Sequence, residues 1–230
     1  MTATLPQPTG EAAPQARIRV AIVDDDTVLR EGLPLLLPRS EVVTTCRNVP
    51  QLLAIAASGQ AVDVVLLDLN LNGLRRPGEP HGRRGVEAVS SAGLSVLIYT
   101  SERRPAVLAG CFLAGASGIV HKTEPLEQLQ AGVEAVHAGR TVVTTAVAGL
   151  LDTIARAGRI KGLTQRQAAV LQGRARGETY AAIGRRLFIS ARTAEEYMRD
   201  VIKKLRGLYD GATAAEIERE LGLGPGDLME

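Results

Sequence analysis

The sequence predicts a two-part protein, a parallel α/β sheet over roughly the first 140 residues followed by an all-helical unit, and three observations predict it. Four short apolar runs, 20–23, 62–67, 96–99 and 118–121, are rich in β-branched residues and separated by helix-length stretches. This is the grammar of parallel strands alternating with crossover helices. Each run ends on a polar anchor: Asp24-Asp25, Asp68, Thr100 and Lys122. Beyond Gly162 the strand-like runs stop, and Thr164, Thr179 and Ser190 stand where helix N-caps belong.

In chain order, 1–16 reads as a disordered tail, with neither the basic start nor the apolar stretch of a signal peptide. The spacing predicts helices over 28–37, 51–57, 86–91, 106–113 and 126–138, the first kinked or shortened by Pro34. Segment 141–160 reads as a linker, partly helical. After it, Thr164 opens a helix closed by Gly177, Thr179 caps a second to Leu187, Ser190 caps a third through Leu205, and 214–221 forms a fourth. Two short helices, a tight Phe188-Ile189 connection and a longer capped helix describe a helix-turn-helix unit over 161–224.

Functional groups of parallel sheets gather past the carboxyl ends of the strands. Asp24, Asp25 and Asp68 should therefore converge with Thr100 and Lys122. Three neighbouring carboxylates repel one another unless a cation relieves them, and a hard ion such as Mg2+ does so while leaving room for phosphate oxygens. Asp68 is the natural acceptor of a phosphoryl group as an acyl phosphate. Lys122 supplies a second positive charge and Thr100 a hydroxyl donor, as phosphoryl transfer requires. Taken singly, each of these residues could equally be a turn or cap former.

These five residues, in order and each after a strand, resemble the receiver domain of bacterial two-component response regulators over 17–140. The resemblance implies a flavodoxin-like, five-stranded parallel sheet, phosphorylation of Asp68 by a sensor histidine kinase or small phosphodonor, and Thr100 and Lys122 as the switch pair. It implies Mg2+ held at Asp24, Asp25, Asp68 and Asn70. The chain departs from the pattern in two places. Leu71-Asn72-Gly73 replaces the usual Met-Pro-Gly, followed by an apparent insertion over 74–84 with four arginines, and Ile119 stands where an aromatic is usual.

In the third helix of the helical unit, Ala194, Met198, Val201 and Leu205 share a core stripe. Arg192, Glu195, Glu196, Arg199, Lys203 and Arg206 share the opposite one. That outward face suits a groove-reading helix, although a solvated face with a Glu195–Arg199 pair explains the stripe by itself. The segment 163–205 resembles the LuxR-type output domain of the NarL/FixJ class, through Leu163-Thr164-x-Arg166, Gly177, Ile183-x-x-x-Leu187, Ile189-Ser190-x-x-Thr193 and Lys204-Leu205. The resemblance implies contacts to double-stranded DNA from Arg192, Thr193, Glu195, Glu196, Arg199 and Lys203. It also implies a homodimer, with Leu108, Cys111, Phe112 and helix 214–221 as candidate surfaces. Glu195 stands where a lysine is usual, Gln167 where a glutamate is, and Tyr180 replaces a polar residue.

Composition bounds the rest. The net charge of +2 hides eleven Lys/Arg against four acids between 161 and 209, a local excess suited to phosphates. The two cysteines have no ligand spacing and no apolar run reaches spanning length, so the reading is cytoplasmic with no membrane partner. No P-loop or dinucleotide fingerprint occurs, and Asn70 breaks the Asp-x-Asp pair of aspartate-dependent phosphatases, so the chain is read as no enzyme. The function expected is a transcription regulator whose DNA binding is tuned at Asp68. The alternative is a regulator working without phosphate or through protein contacts.

Overall fold

The computed structural model describes residues 17–71, 79–209, 212–221 and 223–224. The first part holds five parallel strands, β1 (Ile18–Val23), β2 (Ser40–Cys46), β3 (Val64–Leu67), β4 (Val96–Thr100) and β5 (Gly118–His121). They are ordered β2-β1-β3-β4-β5. The central strands are buried on both faces, which is why they read as unbroken apolar runs rather than alternating ones. β2 lies at the edge, and its Glu41, Thr44 and Thr45 broke the apolar pattern that revealed the other four.

Five helices flank the sheet: α1 (Thr27–Leu36), α2 (Val49–Ala57), α3 (Gly82–Ser91), α4 (Pro105–Leu113) and α5 (Leu126–His137). Leu33 and Leu37 at α1 join Leu129, Val133 and Val136 of α5 in a core on one face of the sheet. At Gly132 a Cβ would come within 2.9 Å of Val120, so α5 can lie this close to β5 only with glycine there. Helix α1 runs through Pro34 to Leu36, one residue short of the expected end, and at ten residues has the length that the spacing predicts. Helix α3 starts at Gly82, so Arg83 and Arg84, expected in an inserted loop, belong to its first turn. Residues 74–78 of that expected insertion, with 72 and 73 of the turn before it, lie outside the described residues.

The opposite face of the sheet, under α2, α3 and α4, opens into a core shared with the helical part. That part holds α6 (Thr145–Arg156), α7 (Gln165–Ala175), α8 (Tyr180–Leu187), α9 (Ala191–Leu208) and α10 (Ala214–Leu221). Much of the expected linker is therefore packed structure. Val142 pairs with Gly118 beside β5, and Val147, Ala148, Leu151 and Ile154 of α6 are buried in the shared core. Helix α4 is apolar all round because it is covered twice, by the sheet and by α6 and α9. The candidate dimer residues Leu108, Cys111 and Phe112 are consequently 0% exposed within one chain, and that expectation is corrected: they are not available to a second copy in this conformation.

The caps fall where the sequence placed them. Thr164, Thr179 and Ser190 accept hydrogen bonds from the backbone N–H groups of Gln167, Ala182 and Thr193. Gln167, standing in for glutamate, still completes a capping box, because its Oε1 accepts from the Thr164 N–H at 3.1 Å. Lys204 of the signature Lys204-Leu205 donates to the same Oε1 at 2.8 Å and to the Gly162 carbonyl, so it ties α9 to the start of α7. Arg166 donates to the Leu187 carbonyl at 3.2 Å, closing the end of α8.

Candidate functional site

The strand order reverses between β1 and β3, and the ends of these two strands carry Asp24 and Asp68. In open α/β sheets such a switch point leaves a crevice where ligands bind. Single carboxylate oxygens of Asp24, Asp25 and Asp68 all lie within 4.8 Å of one another. Asp26, the next acid in the run, has a different job. Its side chain caps α1, accepting from Val28 N–H at 2.8 Å. Buried Arg30 holds the loop from beneath, donating to the Asp24 carbonyl at 2.7 Å and to Thr27 Oγ1 at 2.9 Å.

Lys122 reaches across from β5 and donates to Asp24 Oδ2 at 2.8 Å and Asp68 Oδ2 at 2.7 Å. Burial pulls the lysine pKa down, but the two carboxylates outweigh it and leave it raised. Burial pushes the Asp24 carboxyl up, and the hydrogen bonds from Lys122 and the Asp26 N–H only partly offset that. Asp68 Oδ1 is buried and has no hydrogen-bond partner among the described residues. An orphaned carboxylate oxygen beside two further carboxylates fits a hard cation or a phosphoryl group better than it fits a closed ion pair. Thr100 is fully buried at the end of β4, its Oγ1 accepting from the Glu102 N–H at 3.2 Å. Asn70 is exposed, two residues past Asp68.

The second candidate region is α9. Ala194, Met198, Val201 and Leu205 are all 0% exposed, as the core stripe requires. The opposite stripe largely faces the sheet-bearing part. Arg140 pairs with Glu195 at 3.6 Å, and Arg199 donates to the Gly139 carbonyl at 3.4 Å. Arg206, on the stripe expected to face outward, is instead half-buried against the end of α4, donating to Phe112 O at 2.6 Å and Ala116 O at 2.5 Å. Burial lowers its pKa. Glu195 does not take the expected Arg199 partner, while Glu196 pairs with Arg192 at 3.3 Å, one turn apart. Arg192 and Lys203 remain exposed and Thr193 is half-buried. A cleft of about 320 Å³ separates the two parts, lined by Ala138, Arg140, Arg192, Glu195, Glu196 and Arg199.

Several basic residues of the local excess are therefore structural. Arg174 donates to Val143 O at 3.1 Å and lies 4.8 Å from the centre of the Tyr180 ring, while Arg176 and Arg186 both clamp Glu178. The sequence signal for this was weak, since a charge count cannot distinguish a guanidinium on a carbonyl from one in solvent.

Comparison with known proteins agrees with this geometry. The family model described as response regulator receiver domain matches residues 20–134, and that of the bacterial regulatory proteins, luxR family, matches 161–207. The chain is 30% identical over 217 residues to the DNA-binding transcriptional activator DevR/DosR of Mycobacterium tuberculosis, covering 89% of this chain and 95% of that one. To the nitrate/nitrite response regulator NarL of Escherichia coli K12 it is 26% identical over 198 residues, covering 81% and 88%. A LuxR-family two-component response regulator from Aurantimonas sp. aligns with a TM-score of 0.51 at 28% identity, over 58% of this chain and 94% of that one. RcsB of Salmonella typhimurium aligns with 0.52 at 21% identity over 90% and 97%, a likeness of fold. The fold and site thus define a transcription regulator that joins a phosphate-type α/β input domain to a helix-turn-helix output domain. The chain belongs to the response regulators that carry a receiver domain and a luxR-type regulatory domain. Among the described residues no helix is long and apolar enough to cross a membrane.

Proposed function

We propose that this regulator is switched by phosphorylation of Asp68, with 17–140 as the receiver, 141–160 as the connection and 161–224 as the output domain. The reading rests on one observation above others: a buried Asp68 with one oxygen bound by Lys122 and the other without a partner, at the switch point of the sheet. Mg2+ fits the acidic set, held by Asp24, Asp25, Asp68 and Asn70, and when bound it would neutralise phosphoryl oxygens. An Asp68 oxygen attacks phosphorus, forming the acyl phosphate, and the leaving atom of the donor, the imidazole nitrogen of a phosphohistidine or the carboxylate oxygen of acetyl phosphate, keeps the electron pair of the broken bond. Lys122 moves from sharing Asp24 to meeting the new phosphoryl group. Thr100 rotates its hydroxyl away from the Glu102 N–H to donate to the same group. A sensor histidine kinase is the donor that this class of domain calls for.

Output is double-stranded DNA read by α9, with Arg192, Thr193, Glu195, Glu196, Arg199 and Lys203 on the reading face. DevR/DosR, to which the chain is similar over 95% of that protein's length, is a DNA-binding transcriptional activator. In the conformation described, Glu195 and Arg199 are engaged by Arg140 and Gly139, so a duplex and the receiver compete for one face. Phosphorylation acts by tipping that competition, which requires differential stabilisation of the open form. Two copies on adjacent half-sites supply affinity that one helix lacks, which makes a homodimer the working species on DNA. Its place is the cytoplasm, where kinase and DNA are both reached.

The test is chemical and direct. With Mg2+ and acetyl phosphate, intact-mass measurement should show one phosphoryl addition on wild type and none on Asp68→Asn. An unmodified wild type would leave a regulator that signals without phosphate.

A further inference from the structure

Phe188 joins α8 to α9 in the left-handed region, at φ 55° and ψ 45°, and among the described residues it is the only non-glycine with positive φ. The turn demands this geometry. A Cβ at Gly184 would sit 2.7 Å from the Ile189 carbonyl oxygen, and the Ile189 N–H donates to the Gly184 carbonyl at 3.0 Å, so the chain reverses over a single residue. Glycine or asparagine occupies such a position with little strain, whereas a bulky side chain is disfavoured there. The ring does nothing inside the chain to offset that, being 95% exposed. The other aromatic side chains are used differently: Phe112 is fully buried, Tyr99 and Tyr209 are nearly so, and Tyr180 and Tyr197 are partly covered. A strained backbone that presents an apolar ring to solvent costs stability twice, and such outliers persist where function uses them.

The position says what the ring meets. Phe188 stands two residues before Ser190, the N-cap of α9, at the same end as exposed Arg192. Arg185 is exposed on α8 beside it, while neighbouring Arg186 is tied to Glu178 at 3.0 Å. The receiver contacts on the α9 face are to Glu195, Arg199 and Arg206, further along the helix, and leave this end uncovered. A ring beside exposed Arg185 and exposed Arg192, the latter tied only to Glu196 one turn along its own helix, suits a polyanion with an apolar feature at its edge. Duplex DNA offers this in the major groove, where the thymine 5-methyl group projects among phosphates.

We propose that Phe188 is a specificity-determining DNA contact, its ring packing on a thymine methyl at the margin of the sequence read by α9. The proposal rests on the DNA-binding reading above and names a residue outside the helix that reading uses.

The test takes the full chain with Mg2+ and acetyl phosphate, and a duplex enriched by wild type from a random library. Affinity is measured for that duplex and for copies with single thymines replaced by deoxyuridine, which lacks only the methyl. Wild type should lose about fourfold at one or two positions, the worth of burying one methyl-sized group. Phe188→Gly and Phe188→Asn should bind the parent duplex more weakly and be indifferent to the same uracil substitutions. Both variants should melt no lower than wild type, since each relieves the backbone, so lost binding is not lost folding. If both bind as wild type does and wild type ignores every uracil, the proposal is overturned while DNA binding stands. Variants that bind normally but fail to drive transcription would overturn it in favour of a protein contact. A wild type that binds no duplex would overturn the DNA reading itself, and this one with it.

Discussion

The Arg206 guanidinium, on the helix proposed to read DNA, donates to the Phe112 carbonyl at 2.6 Å at the end of the receiver helix α4. The same side chain reaches Ala116 O at 2.5 Å, so one residue ties α9 to two carbonyls at and just past the end of α4. A cation at a helix C-terminus is favourable, and a half-buried charged hydrogen bond is costly to break. Arg206→Met should therefore lower stability by about 1–3 kcal/mol and loosen the contact between the two parts. Hydrogen exchange should quicken across 112–116 and along α9, and unphosphorylated protein should bind DNA more tightly. Weaker binding with unchanged exchange would return Arg206 to the role of a phosphate contact.

Lys122 bridges Asp24 and Asp68, so removing it strands two buried carboxylates. Lys122→Met should destabilise the chain by about 3 kcal/mol or more in the absence of divalent ions. Mg2+ should recover a larger share of the lost melting temperature than it adds to wild type. A variant that melts like wild type in chelator would mean that the acidic pocket does not need this ammonium.

The turn of the helix-turn-helix unit depends on Gly184, where a Cβ would lie 2.7 Å from a backbone oxygen that cannot swing aside. Gly184→Ala should cost about 1–3 kcal/mol through this overpacking, read by thermal unfolding. An unperturbed melt would show that the turn adjusts.

Most of this was legible in sequence where a residue's surroundings are local. Strand ends, caps and the α9 core stripe follow from short-range patterning, so Asp24, Asp68, Thr164, Ser190 and Met198 were placed correctly by spacing. β2 escaped because an edge strand keeps polar residues on its open side. The fates of Leu108, Phe112 and Arg206 were hidden for another reason. They depend on how two domains pack, a contact between residues 90 and 94 positions apart that leaves no periodic trace. The uniformly apolar composition of α4 was the one available clue that both its sides are covered.

Acid should unfold the protein partly through Asp63, which accepts three hydrogen bonds from Arg19. The Arg19 side-chain hydrogen bond holds its carboxyl at about 2, below the usual 3.8. A depressed carboxyl contributes stability that is complete above its unfolded pKa and is lost as pH falls through the folded one. Wild type should therefore exceed Asp63→Asn by a constant margin above about pH 4, small because the pair is solvent-screened. The margin should vanish near pH 2, and a margin independent of pH would mean the carboxylate is not what the arginine holds.

One face of α9 is proposed to be shared between the receiver and DNA, with Asp68 deciding the allocation. The most direct test of that sharing is duplex affinity of the full chain across a salt series, with and without acetyl phosphate and Mg2+, for wild type, Asp68→Asn and Arg199→Ala. Phosphodonor should tighten wild-type binding and leave that of Asp68→Asn unchanged. Arg199→Ala should weaken binding to every sequence and flatten the salt slope by about one unit. Binding by wild type that ignores the phosphodonor, together with an Arg199→Ala slope equal to that of wild type, would contradict it.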